Sequence, residues 1–120
     1  MPMRLNYRQR GYDTRWDKAA AAFKAEHPLC LGCQAIGQVK VATVVDHVEP
    51  HRGDMVKFWS SANFQPSCVW HHNVVKQQLE NMYERGAIAL SDLWLNSPAA
   101  IKLSRKRQPK PIGLDGWPVA

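Results

Sequence analysis

Apolar side chains recur at helical spacing in three stretches of the chain and concentrate as strand in two. Trp16, Ala19, Ala20 and Phe23 share one face of a helix predicted over about 15–26, opened by Thr14 with Asp17 three residues on and stopped at His27-Pro28. The stretch VKVATVVDHVEP is dense in β-branched residues and predicts a strand running up to Pro50. NFQPSCVW predicts a second strand that must be short, because Pro66 lacks the amide a long ladder would need. From about residue 69, Val75, Leu79 and Met82 form an apolar stripe, with Glu80 and Glu84 on the wet side and Gly86 placed to end the helix. SDLWLN predicts a further turn of helix, and Ser97-Pro98 the cap and first residue of another over about 98–105. Between these lie the Gly-punctuated turn CLGCQAIGQVK and the loop HRGDMVKFWSSA, anchored by Phe58-Trp59.

The order helix, strand, strand, helix, helix gives an α+β class, and 120 residues amount to one small domain with a modest core. We place a single domain over 1–105, its core over about 27–85, followed by a basic Pro/Gly-rich extended tail over 106–120. No apolar run is long enough to cross a membrane, and the opening MPMRLNYRQRGYDTR is basic and polar, unlike a signal peptide. The expectation is a cytoplasmic protein with no membrane partner.

Charge alters this picture through its distribution. The net charge is +6, but residues 1–29 carry six Lys/Arg against three acids and residues 97–120 five against one, which leaves the centre near neutral. Basic flanks around a neutral centre suit a partner with a phosphate backbone, such as DNA, held by the arms while the centre does something else. Solubility alone is the simpler explanation.

Cys30, Cys33 and Cys68 make an odd count, which argues against a disulfide framework. Cys30-x2-Cys33 and Cys68-x2-His71 are instead two ligand pairs, each with the gap that lets a tight turn aim both atoms at one ion. Three thiolates and an imidazole suit structural Zn²⁺ and leave no open position for chemistry. A redox pair or buried free thiols are the competing readings. Neighbouring helical side chains diverge by roughly 100°, so His72 cannot comfortably share that ion with His71 and must serve a second site.

The candidates to meet His72 are Asp46 and His47 at the end of the first strand, with Asn63 between them in sequence. A carboxylate and an imidazole can hold a hard divalent cation, and a second imidazole near neutral pKa can deprotonate a water. Asp46 and His47 are consecutive, so a regular strand would send them to opposite faces; the expectation is a twist or bulge there.

The run DH, then NFQPSC, then HHNVVK resembles the HNH family of endonucleases with the ββα-metal fold, over about residues 27–80. It looks closest to the zinc-containing HNH proteins of tailed phages and prophages, in which DHxxPHRGD, an FW pair and an NxQxxCxxCH stretch recur. The resemblance implies a small ββα-metal core with flanking helices, stapled here by the Cys3His zinc site that the ligand spacing suggests. It implies His47 as general base, Asn63 as the brace of the loop that orients it, and Asp46 with His72 as ligands of a catalytic Mg²⁺ or Mn²⁺, other transition metals being tolerated. The activity implied is hydrolysis of DNA phosphodiester bonds with low sequence preference, in a bacterial host cytoplasm and alongside a phage terminase large subunit. Two positions depart from the family pattern: His71 stands where the fourth zinc ligand is usually Cys, and Lys76 lies four residues after His72 where the family usually has Lys at three. His51 and Arg52 are near enough in sequence to reach the same cleft, His51 as an accessory ligand and Arg52 or Lys76 as a phosphate contact, though solvated loop positions would look the same. A zinc-stapled DNA-binding module without chemistry is the alternative, but it has no use for Asp46, His47 and His72 together.

Overall fold

A computed structural model describes residues 12–108. The basic arm over residues 1–11 and most of the expected tail, 109–120, lie outside the described residues. In chain order the elements are α1 (Thr14–Glu26), α2 (Leu31–Ala35), β1 (Val44–His47), α3 (Met55–Trp59), a 3₁₀ turn (Ser61–Asn63) and β2 (Phe64–Ser67). A π-helical turn (His71–Lys76) then runs into α4 (Gln77–Glu84), and a second 3₁₀ turn (Leu90–Leu93) precedes α5 (Pro98–Arg107). The class is α+β, built on one two-stranded sheet.

Local chemistry explains most boundaries and corrects four. The cap of α1 is Asp13, not Thr14: its carboxylate accepts the N–H groups of Arg15 and Trp16. The first strand is four residues long instead of running from Val39 to Pro50; upstream of it Val41 makes only an isolated bridge to Leu29. The expected loop 51–62 contains α3, which Asp54 caps by accepting the N–H groups of Val56 and Lys57. Helix α4 ends as predicted at Gly86, φ 75°. There the Gly86 N–H reaches Tyr83 O at 3.0 Å and the Ala87 N–H reaches Met82 O at 2.9 Å, the paired bonds of a Schellman ending. Ser97 caps α5 by accepting the Ala100 N–H, with Pro98 at the first position; the helix continues two residues into the segment expected as tail.

Strands β1 and β2 are antiparallel in the register Val44 with Ser67, Val45 with Pro66, Asp46 with Gln65 and His47 with Phe64. The Val48 N–H bonds Asn63 O at 2.8 Å, so by the two-residue alternation of such a ladder the 46/65 and 44/67 pairs are bonded and the 45/66 and 47/64 pairs are not. Pro66 therefore sits where no amide is wanted. It also means that the backbone groups of Val45 and His47 face the open side of β1.

Two apolar clusters sandwich this hairpin. Val48, Val75, Leu79, Leu93, Leu95, Ala100 and Leu103 pack the π turn, α4 and α5 against one face, and Trp16, Val45, Phe58 and Phe64 pack α1 and α3 against the other. The Phe58-Trp59 anchor divides: Phe58 is fully buried and Trp59 is 38% exposed. Trp16 meets Phe58 at 4.9 Å and Phe64 at 5.3 Å between ring centroids, and Phe23 meets Phe64 at 5.6 Å, so aromatic contacts hold α1 to the sheet, Trp16 being the buried one. Trp16→Ala is expected to lower stability by about 3–5 kcal/mol in urea unfolding, as aromatic truncations in a packed core do.

Candidate functional site

The four soft ligands converge. Cys30 caps α2 and Cys33 lies within it, while Cys68 follows β2 and His71 opens the π turn; all four are buried. Their ligand atoms lie within 4.8 Å of one another. His71 Nδ1 stands 3.6 Å from Cys30 Sγ, 3.5 Å from Cys33 Sγ and 3.4 Å from Cys68 Sγ, and the Cys33 and Cys68 sulfurs are 3.9 Å apart. A tetrahedral zinc with bonds of about 2.3 Å to sulfur and about 2.05 Å to nitrogen needs edges near 3.5 Å for S···N and near 3.8 Å for S···S. The set thus fits a metal ion such as zinc.

The surroundings prepare these atoms as ligands. Ser104 Oγ donates to Ala100 O at 2.8 Å, so at 3.1 Å from His71 Nε2 it acts as acceptor; the ring proton sits on Nε2 and the lone pair of Nδ1 faces the sulfurs. The N–H groups of Cys33 and His71 point at Cys30 Sγ (3.5 Å) and Cys68 Sγ (3.4 Å). Gly32 is required for closeness: a Cβ there would lie 2.3 Å from His71 Cδ2. Burial pushes the Cys33 thiol up to about 12, reinforced by the neighbouring sulfurs, and burial pushes His71 down to about 4, with Lys40 adding to it. Sulfurs so packed need a cation's charge before they can ionise together.

His72 turns the other way. Its Nδ1 lies 3.1 Å from Asp46 Oδ1, and its side chain is 40% exposed. Two cis ligands of an octahedral cation with bonds near 2.1 Å lie about 3.0 Å apart, so this pair fits adjacent corners of one ion as well as a direct hydrogen bond. Asp46 is otherwise fixed, its Oδ2 accepting from Gln65 Nε2 at 2.8 Å and facing Lys76 Nζ at 3.1 Å. Gln65 also bonds Leu93 O and the Leu95 N–H, which joins the hairpin to the segment before α5.

His47 occupies the opposite face of β1. Its ring stacks on Trp16 at 5.0 Å and 23°, and Nε2–H donates to Phe58 O at 2.9 Å, leaving Nδ1 as the acceptor nitrogen. Burial is the main cause holding its pKa below the ordinary imidazole value, so the ring is a neutral base at neutral pH. Asn63 ties both ends of the intervening loop: Oδ1 accepts the Glu49 N–H at 2.8 Å, and Nδ2 donates to Glu49 O at 2.9 Å and Lys57 O at 3.3 Å.

The bulge expected at Asp46-His47 is absent, since the register steps without interruption from 44 to 47. Both residues nonetheless line one open cleft of about 1310 Å³, together with Val44, Val45, His51 and His72. Among the described residues strand β1 has a partner on one side only, so a cleft along its open edge collects side chains from both faces, and no irregularity is needed. Tyr12 and Trp16 wall this cleft.

The remaining candidates sit less simply. His51 has Nδ1 accepting the Gly53 N–H at 3.0 Å and Nε2 on the Tyr12 hydroxyl at 3.1 Å, so it braces a turn and does not offer a spare nitrogen as accessory ligand. Arg52, φ 48°, pairs with Glu84 at 2.7 Å while its side chain stays 63% exposed at the cleft. Lys76 departs furthest from the phosphate contact expected of it. It is fully buried, with its ammonium on His47 O, Asp46 and Glu80, and Glu80 is correspondingly drawn inward from the wet side. Sequence reasoning missed Gln65, Ser104, Tyr12 and Trp16 as parts of the two centres; only Gln65 carried a signal, as the residue facing Asp46 once the hairpin register is drawn.

Compared with protein-family models, curated proteins and solved structures, the chain matches none of them. Among the described residues no helix is long and apolar enough to cross a membrane.

Ser104→Ala removes the acceptor that fixes the His71 tautomer; zinc affinity in chelator competition should fall by about 10–100-fold with the fold retained. In metal-free protein, the unfolded chain takes up a proton near pH 6.5 that folded His71 refuses until about 4, so stability should fall as pH falls across that window. Equal urea midpoints at its two ends would contradict this.

Proposed function

We propose that the protein is a metal-dependent DNA endonuclease of the HNH type, with a structural zinc at Cys30, Cys33, Cys68 and His71 and a hydrolytic centre at Asp46, His47, Asn63 and His72. The observation that carries this reading is the parting of two adjacent histidines. His71 closes the sulfur cluster, while His72 meets Asp46 at 3.1 Å beside a cleft that His47 also lines. The order strand, loop, strand and helix in which these groups are carried supports the reading, being the order a ββα-metal core would have. A π turn is what one extra residue makes of an α-helix, and it spans the stretch in which Lys76 stands one residue beyond the family spacing.

Asp46 and His72 would hold a divalent cation, Mg²⁺ or Mn²⁺ by ligand chemistry, which when bound would supply positive charge to the scissile phosphate and its leaving oxygen. His47, neutral through burial and with its ring fixed by the Phe58 carbonyl, accepts a proton from water through Nδ1. The water oxygen bonds to phosphorus as the P–O3′ bond breaks, and the 3′-oxygen takes up a proton; the products carry 5′-phosphate and 3′-hydroxyl ends. Asn63 keeps the loop that carries the Phe58 carbonyl in place, and Trp16 excludes water from one side of the His47 ring. Exposed Lys102, Arg105, Lys106 and Arg107 on α5 suit sequence-independent contacts to phosphates, with salt-sensitive affinity.

Purified protein incubated with supercoiled plasmid tests the reading. Nicking in Mg²⁺ or Mn²⁺ that EDTA stops is expected, and gel retardation without cleavage would identify a binding module instead. His47→Ala should reduce cleavage by at least about 10²-fold while DNA retention and zinc content stay unchanged; undiminished cleavage removes the base assignment. The acid-side loss of activity that His47 controls should come below the ordinary imidazole value, because burial lowers its pKa.

A further inference from the structure

Lys76 is a fully buried cation on a helix whose neighbouring inward positions, Val75 and Leu79, are apolar. Taking an ammonium out of water costs several kcal/mol, and a well-packed apolar side chain often serves a core as well or better. Packing alone therefore does not account for it. Its ammonium donates to His47 O at 2.8 Å and to Glu80 Oε2 at 3.0 Å, and pairs with Asp46 Oδ2 at 3.1 Å.

These contacts divide Asp46 in two. Lys76 and Gln65 take Oδ2, and Oδ1 is left to His72. The same ammonium grips the carbonyl of His47, one of the backbone groups that face the open side of β1. Nothing else described holds that carbonyl, because the 47/64 pair is not hydrogen-bonded in the ladder. Among the described residues Lys76 thus touches both the Asp46 carboxylate and the strand end that bears His47.

We propose that Lys76 is a positioning residue that sets both halves of the centre with one charge. It fixes the rotation of Asp46 so that a single oxygen faces His72, and it holds the backbone of His47 at the edge of the cleft. Its positive charge also fills the space between Asp46 and Glu80, so the centre accepts one divalent cation on the His72 side and no second one beyond. The proposal rests on the hydrolytic reading above and deepens it.

The test uses the full chain with zinc bound. Lys76→Met is expected to lower kcat for plasmid nicking by about 10²-fold, the usual cost of misplacing a reacting group by an ångström, with KM for plasmid within about threefold and zinc content unchanged. A kcat within about threefold of the unsubstituted protein overturns the proposal. Should that variant fail to fold, nitrogen NMR of the unsubstituted protein decides. On titration with Mg²⁺, the Lys76 ammonium signal is expected to shift with the same midpoint as the His72 ring nitrogens, and a Lys76 signal indifferent to Mg²⁺ overturns the proposal. If the unsubstituted protein never cleaves yet the two signals move together, the hydrolytic reading falls and Lys76 stands as the organiser of a cation site.

Discussion

Everything in this molecule hangs on the convergence of three sulfurs and one ring nitrogen contributed from both sides of the hairpin. Cys30 and Cys33 come before β1, and Cys68 and His71 after β2, so the cluster clamps the ends of the hairpin together and gives a small core a rigid corner. The constraint propagates along the chain. Once the start of the π turn is pinned by His71, the positions of His72, Val75, Lys76 and Leu79 follow from helical geometry, and with them one wall of the cleft. From the other side Ser104 joins α5 to the same ring, so the last helix is positioned by the cluster too.

The cleft illustrates how a minimal sheet gains versatility from being incomplete. A strand with neighbours on both sides could offer a site only one of its faces. Among the described residues strand β1 has a single neighbour, and Asp46 and His47 approach the same space from opposite faces. Asp46 lies among polar partners that fix a carboxylate, Gln65 and Lys76, whereas His47 lies among aromatic rings that keep an imidazole neutral. Two consecutive residues thereby receive opposite electrostatic environments within one turn of chain.

Much of this was legible in the amino-acid order, and the rest was not for identifiable reasons. The ligand spacing of Cys30, Cys33, Cys68 and His71 reads directly, because each pair is local and only the joining of the pairs is tertiary. The division between His71 and His72 follows from helical angles alone. The five-residue helix α3 was hidden because it is too short to show a period, and the shortness of β1 because β-branched residues extend, chiefly upstream, beyond the stretch its partner covers. Lys76 was misjudged because a lysine in sequence reads as solvated, and only the arrangement of three distant acceptors makes burial tolerable. Ser104 and Trp16 lie far along the chain from the residues they serve, and nothing local marks either one.

The π turn carries a consequence for how such a site can change over time. Four of its six positions hold residues with assigned contacts, and its wider winding lets the two histidines diverge while Lys76 still returns beneath the sheet. Single substitutions alter one of these contacts at a time. A wide turn is how a helix absorbs one added residue, so loss of a codon at Asn73 or Val74 would tighten it to an ordinary α-helix with the later side chains still facing as they do, and the segment is open to a change of length just where its two unassigned positions lie.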